Sequence, residues 1–147
     1  PTSVAMVLGS LGVSAAPAGI AALAHCAEHD RYGVWPANVW AASRLGALGC
    51  VAAFDSWDCA RELLARGLPL VVSEAHGPGG LPGSPLPETD GHLLVLRGLR
   101  AGRVLVNEPA AATADAVPME YDLEAFGRAW LGHGGIAYVF VNPEERP

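Results

Sequence analysis

The chain has 147 residues, enough for one domain with a buried core, and 51% of them are hydrophobic. No apolar run approaches the roughly 20 residues that a membrane-spanning helix needs. The formal net charge is −6 and the nine Lys and Arg are scattered, which argues against a nucleic-acid or acidic-membrane partner. No segment of the given sequence resembles a signal peptide, and it begins at Pro1 without an initiator Met, so we expect that an upstream segment was removed or left out. The cell compartment stays open, with secretion and the cell envelope among the options.

Helices dominate the first half of the predicted map. Apolar residues at helical spacing, Pro at helix starts and Gly at helix ends mark four of them. Their approximate ranges are 4–11, 17–30, 36–45 and 55–66. A short apolar run, 50–54, lies between the third and the fourth.

The second half of the chain is predicted to form strands. Apolar runs cover 68–73, 91–99, 103–106 and 136–141, and a short helix covers 122–131. The Gly- and Pro-rich segment 77–87 is predicted to be a loop, and His76 and His133 fall in Gly-rich turns. Helices followed by a mostly antiparallel sheet form an α+β arrangement. Nothing divides the chain, so we expect a single domain over residues 1–147.

A predicted hairpin in this half brings three polar residues to one end of the sheet. His92 begins the first strand, and Asn107 and Glu108 end the second. Both positions lie away from the turn at residues 101–102, so His92 and Glu108 should be neighbours. An imidazole beside a carboxylate is the base-and-orienter half of a nucleophilic triad. The same pair also occurs as an ordinary ion pair, and the hairpin by itself leaves both interpretations open.

The segment 25–29, His-Cys-Ala-Glu-His, matches the H-x-x-E-H pattern of helical zinc peptidases. A zinc site would need a third ligand from a distant helix. His residues at a helix end also complement the helix dipole, so we favour a polar helix end and expect no metal or cofactor.

The cysteines and tryptophans are expected to be structural. Three cysteines are too few for a disulfide scaffold or a CxxC zinc site. We expect buried free thiols, with a Cys50–Cys59 pair as the alternative. Core packing is likewise expected for the tryptophans, which are Trp35, Trp40, Trp57 and Trp130.

Three short blocks together resemble the bacteriocin-processing (double-glycine leader) cysteine peptidases and their stand-alone relatives. Pro1–Leu8 resembles the opening of the family's nucleophile helix, just after the nucleophile. Gly91–Val95 resembles the strand of the catalytic His, and Val106–Ala110 resembles the next strand, where the family has an acid before Pro-Ala. The run 68–73 resembles the strand before the substrate-side loop. Three blocks in family order and spacing are more specific than any one of them.

The resemblance implies a papain-like fold and a cysteine peptidase that hydrolyses peptide bonds through a Cys-His-acid triad without a cofactor. It implies that His92 is the general base and Glu108 the orienting acid, where the family usually has Asp. Asn107 is the rival orienter, because papain-type enzymes can use an amide; we favour Glu108 for its position before Pro109. The nucleophilic Cys and the oxyanion-hole side chain would lie upstream of Pro1. The predicted domain is therefore truncated just after the nucleophile position.

Two alternatives to the peptidase stay open. A catalytically inactive peptide-binding or docking module would keep the fold without the Cys, and a related thiol acyltransferase, such as a transglutaminase-like enzyme, would share the triad. The residues before Pro1 discriminate between an enzyme and an inactive module. In each case the partner is a peptide or protein, while the substrate, the cleavage motif and the oligomeric state are not given by the sequence.

Overall fold

The computed structural model describes residues 1–144, and the last three residues of the predicted domain, 145–147, lie outside the described part. Its α-helices are α1 (Thr2–Ser10), α2 (Pro17–Ala24), α3 (Trp35–Arg44), α4 (Trp57–Ala65) and α5 (Leu123–Trp130). Its strands are β1 (Leu48–Ala53), β2 (Leu70–His76), β3 (Thr89–Arg100), β4 (Arg103–Asn107), β5 (Pro118–Asp122) and β6 (Ile136–Val141). The predicted α+β class is confirmed. Among residues 1–144, no helix is long and apolar enough to cross a bilayer.

The six described strands form one antiparallel sheet in the order β1-β6-β2-β3-β4-β5. β6 lies between β1 and β2, so the last described strand joins the strand of the helix-rich half to the strands of the second half. The β3–β4 hairpin turns at Ala101 and Gly102, whose φ angles of 46° and 77° are left-handed. Two left-handed residues in succession suit the twist of a tight hairpin, and the predicted position of the turn is confirmed.

The helices cover both faces of this sheet. The core under α1, α2 and α3 includes Val4, Val7, Leu8, Ile20, Val71, Val95, Tyr138 and Phe140. The core under α4 and α5 includes Ala60, Leu70, Val72, Leu94, Leu96, Phe126 and Trp130. Neighbouring residues such as Leu94 and Val95 enter different cores, because successive side chains of a strand point to opposite faces.

The second helix is shorter than the sequence predicted. α2 ends at Ala24, and His25 follows with an extended backbone (ψ 120°). The next residues form a turn closed by backbone pairing between Cys26 and Arg31. The H-x-x-E-H string therefore does not lie on a helix, and its two His are not on one helical face.

Two strand assignments also differ from the prediction. β2 extends to His76, which therefore belongs to the sheet instead of a loop. β5 was not predicted, because it begins at Pro118 and alternates exposed residues with the buried Tyr121. It is an edge strand that pairs with β4 alone, and one of its faces is exposed. Its sequence therefore lacks the continuous apolar run of a strand that is buried on both faces.

Several side chains that were predicted to be buried are exposed. The three cysteines are free, with Cys50 and Cys59 exposed and Cys26 half-buried. Trp35 and Trp40 are 39% and 52% exposed, because α3 buries its Asn38, Ala41 and Ala42 face instead. The core prediction is confirmed for the other two tryptophans, Trp57 and Trp130.

Candidate active site

His92 lies near the start of β3, at the end of the sheet away from the hairpin turn. The pairing of β2 with β3 places it directly opposite Glu74. Its side chain is 15% exposed, so the ring is largely held by the protein but remains reachable. The position combines a fixed strand with access to solvent, as an acid–base group requires.

The His92 ring contacts the carboxylate of Glu108. Nε2 of His92 lies 2.5 Å from Oε1 of Glu108, which confirms the predicted proximity of the two residues. A carboxylate only accepts hydrogen bonds, so Nε2 carries the proton and Nδ1 is left to accept another. Asn107 makes no hydrogen bond to the ring among the described residues, since neighbouring residues of a strand point to opposite faces. Glu108 is thus the residue in position to orient His92.

Glu108 is a buried carboxylate with a complete set of donors. It is 1% exposed, and its Oε1 also accepts from the backbone N–H of Ala110 at 2.9 Å. Its Oε2 accepts from the hydroxyl of Tyr121 at 3.2 Å. Burial alone would raise the pKa of Glu108, but the bonds from His92, Ala110 and Tyr121 lower it overall. The group therefore stays ionised next to His92 at neutral pH.

The first turn of α1 lies beside the same ring. The buried hydroxyl of Ser3 donates to the carbonyl oxygen of Leu93 at 2.7 Å, which ties the helix start to the residue after His92. Pro1 and Thr2 line a cleft of about 830 Å³ together with His92. The prediction that the chain start lies close to His92 is confirmed. A helix N-terminus carries partial positive charge, so this end of the cleft favours an anion.

The sequence matches the model of a known protein family. The model described as "Peptidase_C39 like family" matches residues 1–138. The chain belongs to this family. The predicted resemblance is thereby confirmed, and none of the curated proteins compared with this C39-like chain matches it.

Solved structures share the fold of this C39-like chain. A double glycine motif protease from an AMS/PCAT transporter, in complex with the leader peptide, matches with a TM-score of 0.64 and 16% identity over 95% of this chain and 80% of that one. A candidate C39-like peptidase from Bacillus anthracis gives 0.73 and 16% over 99% and 87%. The peptidase domain of Streptococcus ComA, a bifunctional ABC transporter, gives 0.62 and 15% over 95% and 87%. The predicted papain-like fold is confirmed.

Sequence reasoning missed two residues that contact or face the pair. Glu74 follows the predicted strand 68–73 by one residue, and the alternation of the buried Leu70 and Val72 would have placed it on their face. Tyr121 was missed together with β5. Burial and the neighbouring charge of Glu108 raise the pKa of Tyr121, so its hydroxyl stays a donor.

The remaining candidate residues do not form a second site together. His25 bonds to Asp30 at 3.2 Å in the turn after α2, and His29 lies at the rim of the cleft. No cysteine is among the residues that line the cleft. Within residues 1–144, no group of three or more His, Cys, Asp or Glu has the arrangement of a metal site.

The low pKa of Glu108 predicts a dependence of stability on acid. Because that pKa is lower in the folded chain than in the unfolded one, its contribution is present above the ordinary value of 4.5 and lost as pH falls through the lowered value. We expect Glu108→Gln to reduce the free energy of unfolding by about 2 kcal/mol at pH 7, the size of hydrogen bonds to a charged group. The difference should shrink below pH 4.5.

Urea unfolding followed by circular dichroism between pH 3 and 7 measures this difference. Glu28→Gln is the control, because Glu28 is exposed in the turn after α2. A Glu108→Gln loss that stays constant over the whole pH range would contradict the assignment of an ionised Glu108.

Proposed function

We propose that this chain is the body of a cysteine peptidase, with His92 as general base, Glu108 as orienting acid and a Cys just upstream of Pro1, with one small residue between them, as nucleophile. The observation that carries the proposal is the His92–Glu108 hydrogen bond at a cleft that is also lined by the start of α1.

We further propose that residues 1–147 act as one domain.

The proposed reaction is acyl transfer to a thiol and then to water. Nδ1 of His92 takes the thiol proton, and the thiolate attacks the carbonyl carbon of the scissile bond. The imidazolium returns the proton to the leaving amine, and a water deprotonated by His92 then releases the acid from the acyl-enzyme. Glu108 remains ionised throughout, holds the ring through Nε2 and stabilises the imidazolium. The positive end of α1 favours the thiolate.

A peptide is the proposed substrate. The cleft is lined by apolar and polar residues, among them Tyr32, Gly33, Trp35, Asp90 and Leu93. Such a mixed apolar and polar wall suits an extended peptide better than a small polar metabolite. The AMS/PCAT protease, which has the same fold, is itself in complex with a leader peptide, and this supports a peptide substrate here.

Thiol labelling tests the proposal. The protein is produced with the residues that precede Pro1 in its gene product and treated with iodoacetamide at neutral pH. We expect a thiol just upstream of Pro1 that reacts faster than free cysteine, because the imidazolium and the helix N-terminus lower a thiol pKa by several units from about 8.5. Cys50 and Cys59 are exposed and serve as internal controls within the same protein.

Two results would overturn the peptidase. If the preceding residues contain no Cys, the inactive peptide-binding module becomes the better account. If the new thiol is labelled no faster than Cys50, His92 does not activate it.

A further inference from the structure

Glu74 is a buried carboxyl group that the proposed mechanism does not use. It is 0% exposed and lies on β2 directly opposite His92. Among the described residues, neither of its side-chain oxygens has a hydrogen-bond partner. An ionised carboxylate in such a place is costly, whereas a carboxylic acid is tolerated, so the surroundings of Glu74 favour its protonated form.

The ring of His76 is a neighbouring group that can share that proton. Its Nδ1 lies 3.1 Å from the carbonyl oxygen of Gly77, and since a carbonyl only accepts, Nδ1 carries a hydrogen. In the neutral ring Nε2 is then an acceptor. This Nε2 is buried, has no hydrogen-bond partner among the described residues and lies 3.9 Å from Oε2 of Glu74. The facing atoms are therefore an acceptor nitrogen, Nε2 of His76, and the carboxyl group of Glu74, which carries a proton in its acid form.

The charges around Glu74 couple it to the candidate active site. Burial raises the pKa of Glu74; the neighbouring His76 and His92 oppose this, and the charge of Glu108 adds to it. A negative charge on Glu74 also raises the pKa of Tyr121, so Glu74 is coupled to the phenol that donates to Glu108. While Glu74 keeps its proton, Glu108 is the charged carboxylate that contacts His92. Loss of that proton places a second negative charge across the strand pair from the ring.

We propose that Glu74 and His76 form a second acid–imidazole pair that stores one proton behind His92, and that Glu74 is a positioning residue that acts through His92. The stored proton is a property of the folded chain itself. The effect on catalysis rests on the peptidase function proposed above. While Glu74 is protonated, His92 faces no charge from this pair. As pH rises and Glu74 loses its proton, a negative charge appears opposite His92.

The proton store is tested by NMR on this chain, with glutamate carboxyl carbons and histidine rings labelled. We expect the Glu74 carboxyl signal to change at a higher pH than the signal of the exposed Glu28. The ring signal of His92 should move in two steps, one of which coincides with the change at Glu74, because interacting groups titrate as a pair. Glu74→Gln should leave one step, and Glu28→Gln should leave both.

The proposal is overturned if the Glu74 and Glu28 carboxyl signals change together, or if the His92 curve is the same in Glu74→Gln as in the parent. Should Glu74→Gln fail to fold, the carboxyl and ring curves of the unsubstituted chain still decide.

The catalytic role is tested on the chain that carries its upstream residues, through the pH profile of thiol labelling. We expect Glu74→Gln to remove the step of the profile that coincides with the Glu74 change. Glu74→Asp, which restores an ionisable group, should recover part of it, and Glu28→Gln should leave the profile intact. A labelling profile unchanged by Glu74→Gln overturns the positioning role. Coupled NMR curves in a protein without a fast thiol would overturn the peptidase and support the proton store.

Discussion

Replacing His92 by Ala is expected to lower the rate of peptide cleavage by roughly 10⁴-fold in the chain that carries its nucleophile, the upper end of what a positioned acid–base group contributes. The ring lies in the cleft with Nε2 on Glu108 and Nδ1 free for the thiol proton. No other histidine of the described chain bonds to Glu108, so nothing replaces it. The same substitution should reduce thiol labelling to the rate of Cys50.

The companion variant is Glu108→Gln, which keeps the size of the side chain and removes its charge. We expect a loss of roughly 10²-fold, smaller than that of His92→Ala, because an orienting group contributes less than the base itself. His25→Ala is the matched control, since His25 is a histidine that bonds to Asp30 outside the cleft. Cleavage and labelling rates at pH 7 measure all three. The general-base assignment is wrong if His92→Ala and His25→Ala behave alike.

Gly135→Ala is expected to destabilise the fold by roughly 4 kcal/mol or more, the range reached by steric strain in a buried backbone. Gly135 has φ +62°, and an added Cβ would lie 1.9 Å from the carbonyl oxygen of Phe54. The backbone cannot withdraw easily, because the N–H of Phe54 donates to the carbonyl of Gly135 at 2.9 Å. The contact joins the ends of β1 and β6, and β6 is a central strand, so the strain reaches the sheet.

The control for this variant is Gly132→Ala, three residues earlier. Its added Cβ would meet nothing closer than the carbonyl oxygen of Gly127 at 4.0 Å. We expect a change within about 1 kcal/mol for this variant, the size of an ordinary Gly-to-Ala effect. Chemical or thermal unfolding compares the two. Equal losses in both variants would show that the close approach of Phe54 and Gly135 does not constrain the fold.

Local patterns in the sequence determined much of this structure. β6 was predicted with its observed bounds, because Ile136–Val141 is a continuous apolar run that ends next to turn residues. The hairpin turn was predicted because Arg100, Ala101 and Gly102 separate two apolar runs, and Ala101 and Gly102 do adopt left-handed φ angles. His92 and Glu108 are only 16 positions apart and belong to one hairpin, so counting from the turn placed them together.

Tertiary structure decided the contacts between segments that are distant in the chain. The α1 start reaches β3 through Ser3 and Leu93, which are 90 positions apart, and the sequence could place them together only by resemblance to a family. Glu74 faces His92 because the register of β2 on β3 places them opposite each other across the loop 77–88, and that register is set by two cores packed on opposite faces of the sheet. Exposure at Cys50, Trp35 and Trp40 depended in the same way on which edge and which helix face the packing left uncovered. An apolar pattern shows which residues can be buried, but the way the helices pack on the sheet decides which of these residues are buried.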